Sequence, residues 1–154
     1  AGNKGVFAIE VFDQDMQGEP GSDRRILEVL SRFKVRFVSK DTNANTITHY
    51  VDSTLKHVKR VVRALKDEFP NAEISTRKVA IVSAIGSDIK VSGILARSVK
   101  ALADDDISVL ALHQCMRQVD IQFVVDEDAY EKTIVALHGI LIEPHNHEYA
   151  IVAA

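Results

Sequence analysis

The sequence predicts an α+β fold made of two similar units, each with the order strand, helix, strand, strand, helix, strand. Three observations support this: an internal repeat, short β-branched runs at matching positions of both copies, and apolar residues at helical spacing between them. The repeat is clearest where GSDRRILEVLSRFKVRFVS, from Gly21, aligns with GILARSVKALADDDISVLA, which begins 72 residues later at Gly93. A repeat of this length indicates that one supersecondary unit occurs twice.

Strands are predicted where short runs rich in β-branched residues are bounded by loop residues. The runs are 6–12, 34–40 and 45–51 in the first copy, and 78–85, 107–113 and 119–125 in the second. The segments 72–77 and 149–154 are predicted to close the two copies as their last strands.

Helices are predicted after the first and third strands of each copy. Apolar residues recur there at helical spacing with polar residues between them, which gives each helix one buried face. In the first copy they are Ile26, Leu27, Leu30 and Phe33, then Leu55, Val58, Val61, Val62, Leu65 and Phe69; in the second they are Leu95, Val99 and Leu102, then Tyr130, Ile134, Leu137 and Leu141.

These elements predict one unit over residues 1–77 and a second over 78–154. Right-handed crossovers place both helices of a unit on one face of its antiparallel sheet. The resulting βαββαβ arrangement is ferredoxin-like.

Composition narrows the function classes. The chain has 154 residues, 46% hydrophobic and 27% charged, and a net charge of -3, which is ordinary for a globular protein with a real core. Without a basic block, a nucleic-acid surface is not expected. The apolar runs are far shorter than the roughly 18 residues of a spanning helix, and the first residues lack a signal-peptide pattern. A single cysteine, Cys115, cannot form an internal disulfide. We predict a cytoplasmic location without membrane contact.

The segment DMQGEPGSDRRILEVL, residues 15–30, joins the first strand to the first helix. Such a loop presents free N–H groups and the positive end of the helix dipole, so it can hold a carboxylate. Gly18 and Gly21 permit close backbone approach, and Ser22 or Asp23 could cap the helix. On local sequence alone, a turn followed by a helix cap is the favoured explanation of the segment.

Catalytic and metal-binding constellations are not expected. His145 and His147 lie in a short C-terminal segment without a further Cys or His partner, and a solvent-facing role is favoured over a metal site. Cys115 lies near His113, but a third orienting group is missing from the pattern, so an unreactive thiol is favoured over a nucleophile.

The ordered combination of motifs resembles a known family. DMQGEPGSDRRILEVL in the first copy, SAIGSDIKVSGILARSVKAL in the second, and DTNANTITHYVD between the second and third strands are similar to the paired ACT domains of the regulatory region of aspartate kinases. The resemblance covers about residues 5–143.

Aspartate kinases use ATP to phosphorylate the side-chain carboxylate of aspartate, on the route to lysine, threonine, methionine and isoleucine. Their amino-terminal catalytic domain opens with a Lys-Phe-Gly-Gly-type motif that this chain lacks, and GEPG has neither the spacing nor the lysine of a P-loop. The resemblance therefore implies a non-catalytic regulatory fragment with no cofactor of its own. ATP and Mg²⁺ would belong to the catalytic domain of the parent protein.

The resemblance also implies an effector site. ACT pairs dimerise side by side and bind an end-product amino acid, here lysine or threonine, at the interface between units. Carried over to this sequence, the loop contributes Asp15, Met16, Gly18, Gly21 and Ser22, and the partner segment contributes Phe37, Val38, Asn43, Ala44, Asn45 and Thr46.

Residue chemistry suggests individual roles. Asp15 would pair with the effector ammonium, Asn45 and Thr46 would hydrogen-bond its polar groups, and Met16 would line the side-chain slot. The second copy has VSG in place of EPG and lacks the Asn-Ala-Asn segment, which favours the first copy as the binding unit.

Alternatives remain open at this level. The chain could hold subunits together as a dimerisation scaffold without an effector, or serve as an ACT regulator of another amino-acid enzyme. The terminal strands could be exchanged between the two units, as the family's discontinuous units imply. The candidate acidic partners for a lysine side chain are Asp15, Glu19 and Asp41, and their orientation is not given by the sequence.

Overall fold

A computed structural model describes residues 1–18, 20–86, 93–117 and 120–142. Its strands and helices, in chain order, are β1 (Gly2–Phe12), α1 (Ser22–Arg32), β2 (Phe37–Thr42), β3 (Thr46–Asp52), α2 (Leu55–Glu68), β4 (Glu73–Ile85), α3 (Ile94–Asp104), β5 (Ala111–Gln114), β6 (Asp120–Asp126) and α4 (Tyr130–Leu141). Short 3-10 helices occupy Gln14–Gly18 and Glu127–Ala129. The predicted α+β class with antiparallel ferredoxin-like units is confirmed.

The chain folds as two compact units. The first unit is Gly5–Lys78, and the second combines Ala1–Lys4 with the described residues from Val79 onward. In the second unit Ser83 N–H donates to the Ala1 carbonyl at 2.7 Å, and the Ala1 amino group donates to the Ser83 carbonyl at 3.0 Å. Strands β1 and β4 therefore each supply residues to both units.

The sheet of the first unit contains β2, β3 and β1 in that order, all antiparallel, so β2 is an edge strand. Ile9 pairs with His49 across β1 and β3, and Lys40 pairs with His49 across β2 and β3. A bulge between Phe37 and Ser39 shifts the register at the start of β2. Because side chains alternate along a strand, the paired residues Ile9 and His49 lie on one face of the sheet, and the residues two positions away on each strand share that face.

That face carries the core of the first unit. The apolar stripes of α1 and α2 pack on it, as their helical spacing requires. The core side chains are Phe7, Ile9, Val11, Met16, Ile26, Val29, Leu30, Val35, Ile47, Val51, Val58, Val61, Leu65 and Phe69. Both helices therefore cover one face of the sheet, as predicted.

In the second unit β6 lies between β4 and β5, again antiparallel. Its core contains Leu102 from α3, Leu137 from α4 and Phe123 from β6. Two buried hydroxyl groups are satisfied within the helices, because Ser98 donates to the Ile94 carbonyl and Thr133 donates to the Ala129 carbonyl, at 2.8 and 2.7 Å.

Two strand predictions start too early. The segments 34–40 and 107–113 were expected to begin as strands, but β2 begins at Phe37 and β5 at Ala111. The residues before these strands form helix C-termini instead. Lys34 and Asp106 both have φ of 56°. The N–H of the following residue donates to the carbonyl five residues earlier, from Val35 to Leu30 and from Ile107 to Leu102. This is the Schellman ending, with a left-handed residue that is usually glycine.

The other boundaries are closer. The predicted segments 72–77 and 78–85 form one continuous strand, β4, because no turn residue interrupts the extended run between them. The strands expected at 45–51 and 119–125 occupy Thr46–Asp52 and Asp120–Asp126. The expected closing strand 149–154 lies outside the described residues.

None of the helices that the structure describes combines the length and the apolar composition needed to cross a bilayer.

Leu30→Ala should destabilise the chain by about 2 to 5 kcal/mol, because Leu30 is 2% exposed and the core would lose its volume. The matched control is Leu55→Ala, since Leu55 begins α2 and is 50% exposed. We expect that control to cost less than about 1 kcal/mol. Urea denaturation of both variants measures the difference, and equal losses would show that α1 does not pack as described.

Candidate functional site

The loop after β1 is a short 3-10 helix, Gln14–Gly18. Asp13 organises it, since its carbonyl accepts from Met16 N–H at 3.1 Å and its side chain accepts from Asp15 N–H at 2.9 Å. Asp15 is exposed, whereas Met16 is buried in the core of the first unit. The proposed ligand contacts of both residues remain predictions.

Helix α1 begins without a side-chain cap. Gly21 occupies the N-cap position with φ of 96°, and its carbonyl accepts from Arg25 N–H at 3.1 Å. The expectation that Ser22 or Asp23 caps the helix is wrong, because both lie inside its first turn. Within the described part of the chain no side-chain cap bonds the first N–H groups, so they remain able to meet a negatively charged ligand group.

The hairpin between β2 and β3 meets this loop. Asn43 closes the turn by accepting from the N–H groups of Asn45 and Thr46 at 3.2 and 3.0 Å. The Asn45 carbonyl accepts from Asp13 N–H at 2.9 Å, and Phe12 pairs with Thr46 at the adjacent register position. The structure therefore brings together the loop and the Asn-Ala-Asn segment, with Ala44 exposed at the tip.

Phe37 and Val38 lie at the other end of β2, where Phe37 pairs with Val51. They are 43% and 47% exposed. The predicted site residues thus form two groups, one at the hairpin and one at the start of the edge strand. The Phe37 ring packs edge-to-face on the His49 ring with centroids 5.2 Å apart, which links the second group to the interior.

Three polar residues from different elements meet near the start of α1, and we call them the His49 cluster. They are Asp23 of α1, Lys40 of β2 and His49 of β3. Lys40 Nζ donates to Asp23 Oδ2 at 2.5 Å, tying the edge strand β2 to α1. His49 Nε2 lies 3.8 Å from Asp23 Oδ1, which is too far for a hydrogen bond. His49 is 1% exposed, and both ring nitrogens and Asp23 Oδ1 are buried without a hydrogen-bond partner among the described residues.

Burial lowers the pKa of His49 to about 4, because desolvation penalises the imidazolium. Asp23 opposes this change and Lys40 adds to it. His49 is therefore neutral at pH 7, with one ring nitrogen protonated and the other able to accept.

Asp41 lies on the opposite face of the sheet. Tyr50 donates to its Oδ2 at 2.6 Å, and burial together with this bond raises the pKa of Tyr50. Thr48 donates to Glu10 on the same face at 3.4 Å. Asp41 thus faces away from the His49 cluster and already has a partner.

The sequence interpretation missed the His49 cluster. A signal was present in TITHYV, where Ile47, His49 and Val51 alternate on one face and a histidine occupies a core-facing position. Its partners Asp23 and Lys40 depend on strand register and helix placement, which the pattern does not contain. Glu19, His145 and His147 lie outside the described residues. Within the described ranges, no three His, Cys, Asp or Glu side chains are placed to hold a metal ion.

Comparison with known proteins agrees with the fold. The ACT domain family pattern matches residues 71–139. The aspartate kinase Ask_Ect of Stutzerimonas stutzeri is 51% identical over all 154 residues, and the chain spans 32% of its length. The crystal structure of the regulatory subunit of aspartate kinase from Thermus flavus superposes with a TM-score of 0.77 at 15% identity, over 90% of this chain and 94% of that one.

Residues 71–139 match the ACT domain family, and the chain as a whole is similar to one part of an aspartate kinase. The resemblance predicted from the sequence is thereby confirmed. The chain also matches Escherichia coli aspartokinase III, solved in complex with lysine and aspartate, with a TM-score of 0.71 at 15% identity over 93% of this chain and 32% of that one. The chain thus spans about a third of the full-length aspartate kinases that it matches.

Acid should destabilise the chain through His49. The pKa of His49 is about 4 in the folded state and about 6.5 in the unfolded state, so between pH 6.5 and pH 4 the unfolded state binds a proton that the folded state does not bind. Stability from this group is present above pH 6.5 and is lost as pH falls, by up to about 3 kcal/mol at pH 4. His49→Phe should flatten this part of the profile.

Urea denaturation at steps from pH 7 to pH 4 tests this dependence. Ile47→Val is the matched control, because Ile47 is buried two residues before His49 on β3 and carries no titrating group, so the variant should keep the wild-type slope. A His49→Phe profile as steep as that of the wild type would contradict the assignment.

Gly21→Ala and Gly139→Ala should change stability in opposite directions. Gly21 has φ of 96°, so a Cβ there costs about 1 to 2 kcal/mol. Gly139 lies inside α4 with open space around a Cβ, so alanine should stabilise the helix by about 0.5 to 1 kcal/mol. Thermal unfolding of the two variants measures the sign of each change in stability. Stabilisation by Gly21→Ala would show that Gly21 does not adopt a left-handed conformation at the N-cap of α1.

Proposed function

We propose that this chain is the regulatory part of a cytoplasmic aspartate kinase and that it binds an end-product amino acid for allosteric feedback control. The parent protein would phosphorylate aspartate with ATP and Mg²⁺ held by a separate catalytic domain. The observation that carries this proposal is the match of the whole chain, at 51% identity, to one part of an aspartate kinase.

The first unit is the proposed binding unit. Its uncapped α1 N-terminus offers N–H groups for an α-carboxylate. The hairpin, which contacts the loop through Asn45 and Asp13, offers amide and hydroxyl groups for the ammonium end. Lysine and threonine are the effectors that the aspartate kinase resemblance suggests, and aspartokinase III of E. coli has been solved with lysine bound.

We further propose a homodimer formed through the ACT units. Strand β2 is an edge strand, and unpaired edges favour strand addition. Phe37 and Val38 expose apolar surface on that edge. Pairing of two such edges would cover both.

A dimerisation scaffold without an effector is the second candidate. It is favoured by the same exposed edge and by an open groove of about 650 Å³ next to it, lined by Leu27, Leu30, Val35 and Phe37 among others. The turn-closing bonds of Asn43 also give that residue a structural role that requires no ligand.

Calorimetric titration of the 154-residue chain with lysine and threonine, separately and together, separates the two candidates. We expect binding, and Asn45→Ala should weaken it by about 1 to 3 kcal/mol because a polar partner of the ligand is lost. Its effect on unfolding should be smaller, since the Asn45 side chain bonds only to Thr46 within the described chain.

Asn43→Ala is the matched control. It removes two turn-closing hydrogen bonds, so it should lower stability more than Asn45→Ala does. Dimers in sedimentation together with silent titrations would instead support the scaffold.

A further inference from the structure

The two units carry opposite charges at corresponding positions. The repeat spacing of 72 residues aligns four basic residues of the first unit with four acidic residues of the second, and all eight side chains are exposed. We call the first set the basic end and the second set the acidic end. The basic end is Arg32, Lys34, Lys56 and Lys59, and the acidic end is Asp104, Asp106, Asp128 and Glu131.

Each end combines the termini of two helices. In the first unit Phe33, directly after α1, packs edge-to-face on His57 in the first turn of α2, with ring centroids 6.4 Å apart. In the second unit Lys132, in the first turn of α4, donates to the carbonyl of Asp105, directly after α3. The C-terminus of the first helix and the N-terminus of the second therefore lie together in each unit.

Helix dipoles do not explain these charges. A dipole favours basic side chains at a helix C-terminus and acidic side chains at an N-terminus, which would give both units the same pattern. Instead α2 carries Lys56 in its first turn and Lys59 directly after it, with no acidic residue in that turn. Helix α3 ends at Asp104, with no basic residue in its last turn. Each unit thus keeps one sign of charge over both helix termini, against the dipole of one of them.

Most of these charges have no partner within the described ranges. None of the four basic side chains forms an ion pair there, and of the four acidic ones Asp104 alone does so, with Lys100 at 2.5 Å. Exposed charges of one sign favour a partner surface of the opposite sign.

An apolar groove adjoins the basic end. This is the open groove of about 650 Å³ beside β2, in which Lys34 lies next to Val35 and Phe37. An apolar patch with a charged rim is typical of protein interfaces. A protein partner is therefore favoured over a nucleic acid, which would need basic contacts to phosphates but no such groove.

We propose that the basic end of one copy of this chain docks on the acidic end of a second copy. Charge complementarity selects this partner, because the chain itself carries the opposite charges on the same arrangement of helix termini. The contact uses charged side chains at these termini, whereas strand addition at β2 would use backbone groups of the sheet. It does not depend on the binding of an effector.

Two triple variants test the pairing by charge reversal. One makes the basic end acidic, and the other makes the acidic end basic. They are Lys34→Glu, Lys56→Glu, Lys59→Glu and Asp106→Lys, Asp128→Lys, Glu131→Lys, and a third variant combines all six substitutions. Arg32 is kept because it lies over the Phe33 ring. Asp104 is kept because it pairs with Lys100.

Sedimentation equilibrium of the 154-residue chain measures the association. We expect wild-type association to weaken at least about tenfold between roughly 50 and 500 mM NaCl, because salt screens exposed charges. Each triple variant alone should associate at least about tenfold more weakly than the wild type at low salt, since both of its ends then carry mainly one sign. The equimolar mixture of the two triple variants, and the six-substitution variant, should recover wild-type association within about threefold.

A matched control separates this contact from an effect of net charge. Arg63→Glu, Lys66→Glu, Arg117→Glu reverses three other exposed cations and gives the same net charge as the first triple variant. We expect the control to associate like the wild type within about threefold. Equal weakening by the control and the first triple variant would overturn the proposal.

The remaining outcomes also decide the proposal. Wild-type association that does not respond to salt would overturn it and would leave strand pairing at β2 as the contact between copies. Triple variants that associate like the wild type would overturn it as well. Weakening without recovery in the mixture would assign the basic end to another acidic partner and overturn the pairing of copies. If a triple variant does not fold, Lys59→Glu and Glu131→Lys, alone and mixed, provide the same test with one reversal at each end.

Discussion

The register of β3 between β1 and β2 is the constraint on which the first unit depends. It places Ile47, His49 and Val51 on the face that α1 and α2 cover, and Thr48 and Tyr50 on the other. Side chains alternate along a strand, so a slip of one residue would exchange the two sets. The core and the His49 cluster are thus set by the same strand pairing, and a shift of that register would displace both.

The two units separate what the fold requires from what a site adds. Helices α1 and α3 each follow the first strand of their unit, and each begins at a left-handed glycine, Gly21 or Gly93, without a side-chain cap among the described residues. Each is followed by a non-glycine residue with positive φ, Lys34 or Asp106. These shared features belong to the architecture. The His49 cluster of the first unit has no polar counterpart in the second, where Leu95, Leu112 and Phe123 occupy the corresponding positions. The buried polar atoms of the cluster therefore carry a desolvation cost that apolar side chains would avoid.

Much of the fold follows from the sequence, because repeat spacing and apolar periodicity record burial directly. Helix ends were harder, since Lys34 and Asp106 adopt a conformation that glycine usually marks. The meeting of the loop with Asn45 was predictable from the resemblance. The His49 cluster was not, because its three members are distant in sequence and meet only through the β2 to β3 register and the position of α1 over the sheet.

The division of β1 between the units has a practical meaning for anyone who dissects this chain. Cutting near its midpoint into two expression products would assign Ala1–Lys4 to the wrong product and leave Ser83 without its backbone partner. The second unit is in effect circularly permuted, with its outermost strand residues preceding the whole of the first. To express the second unit alone, Ala1–Lys4 would have to be joined to it at another point of the chain. The duplication is therefore visible in the sequence, but one cut of the chain does not separate the two units.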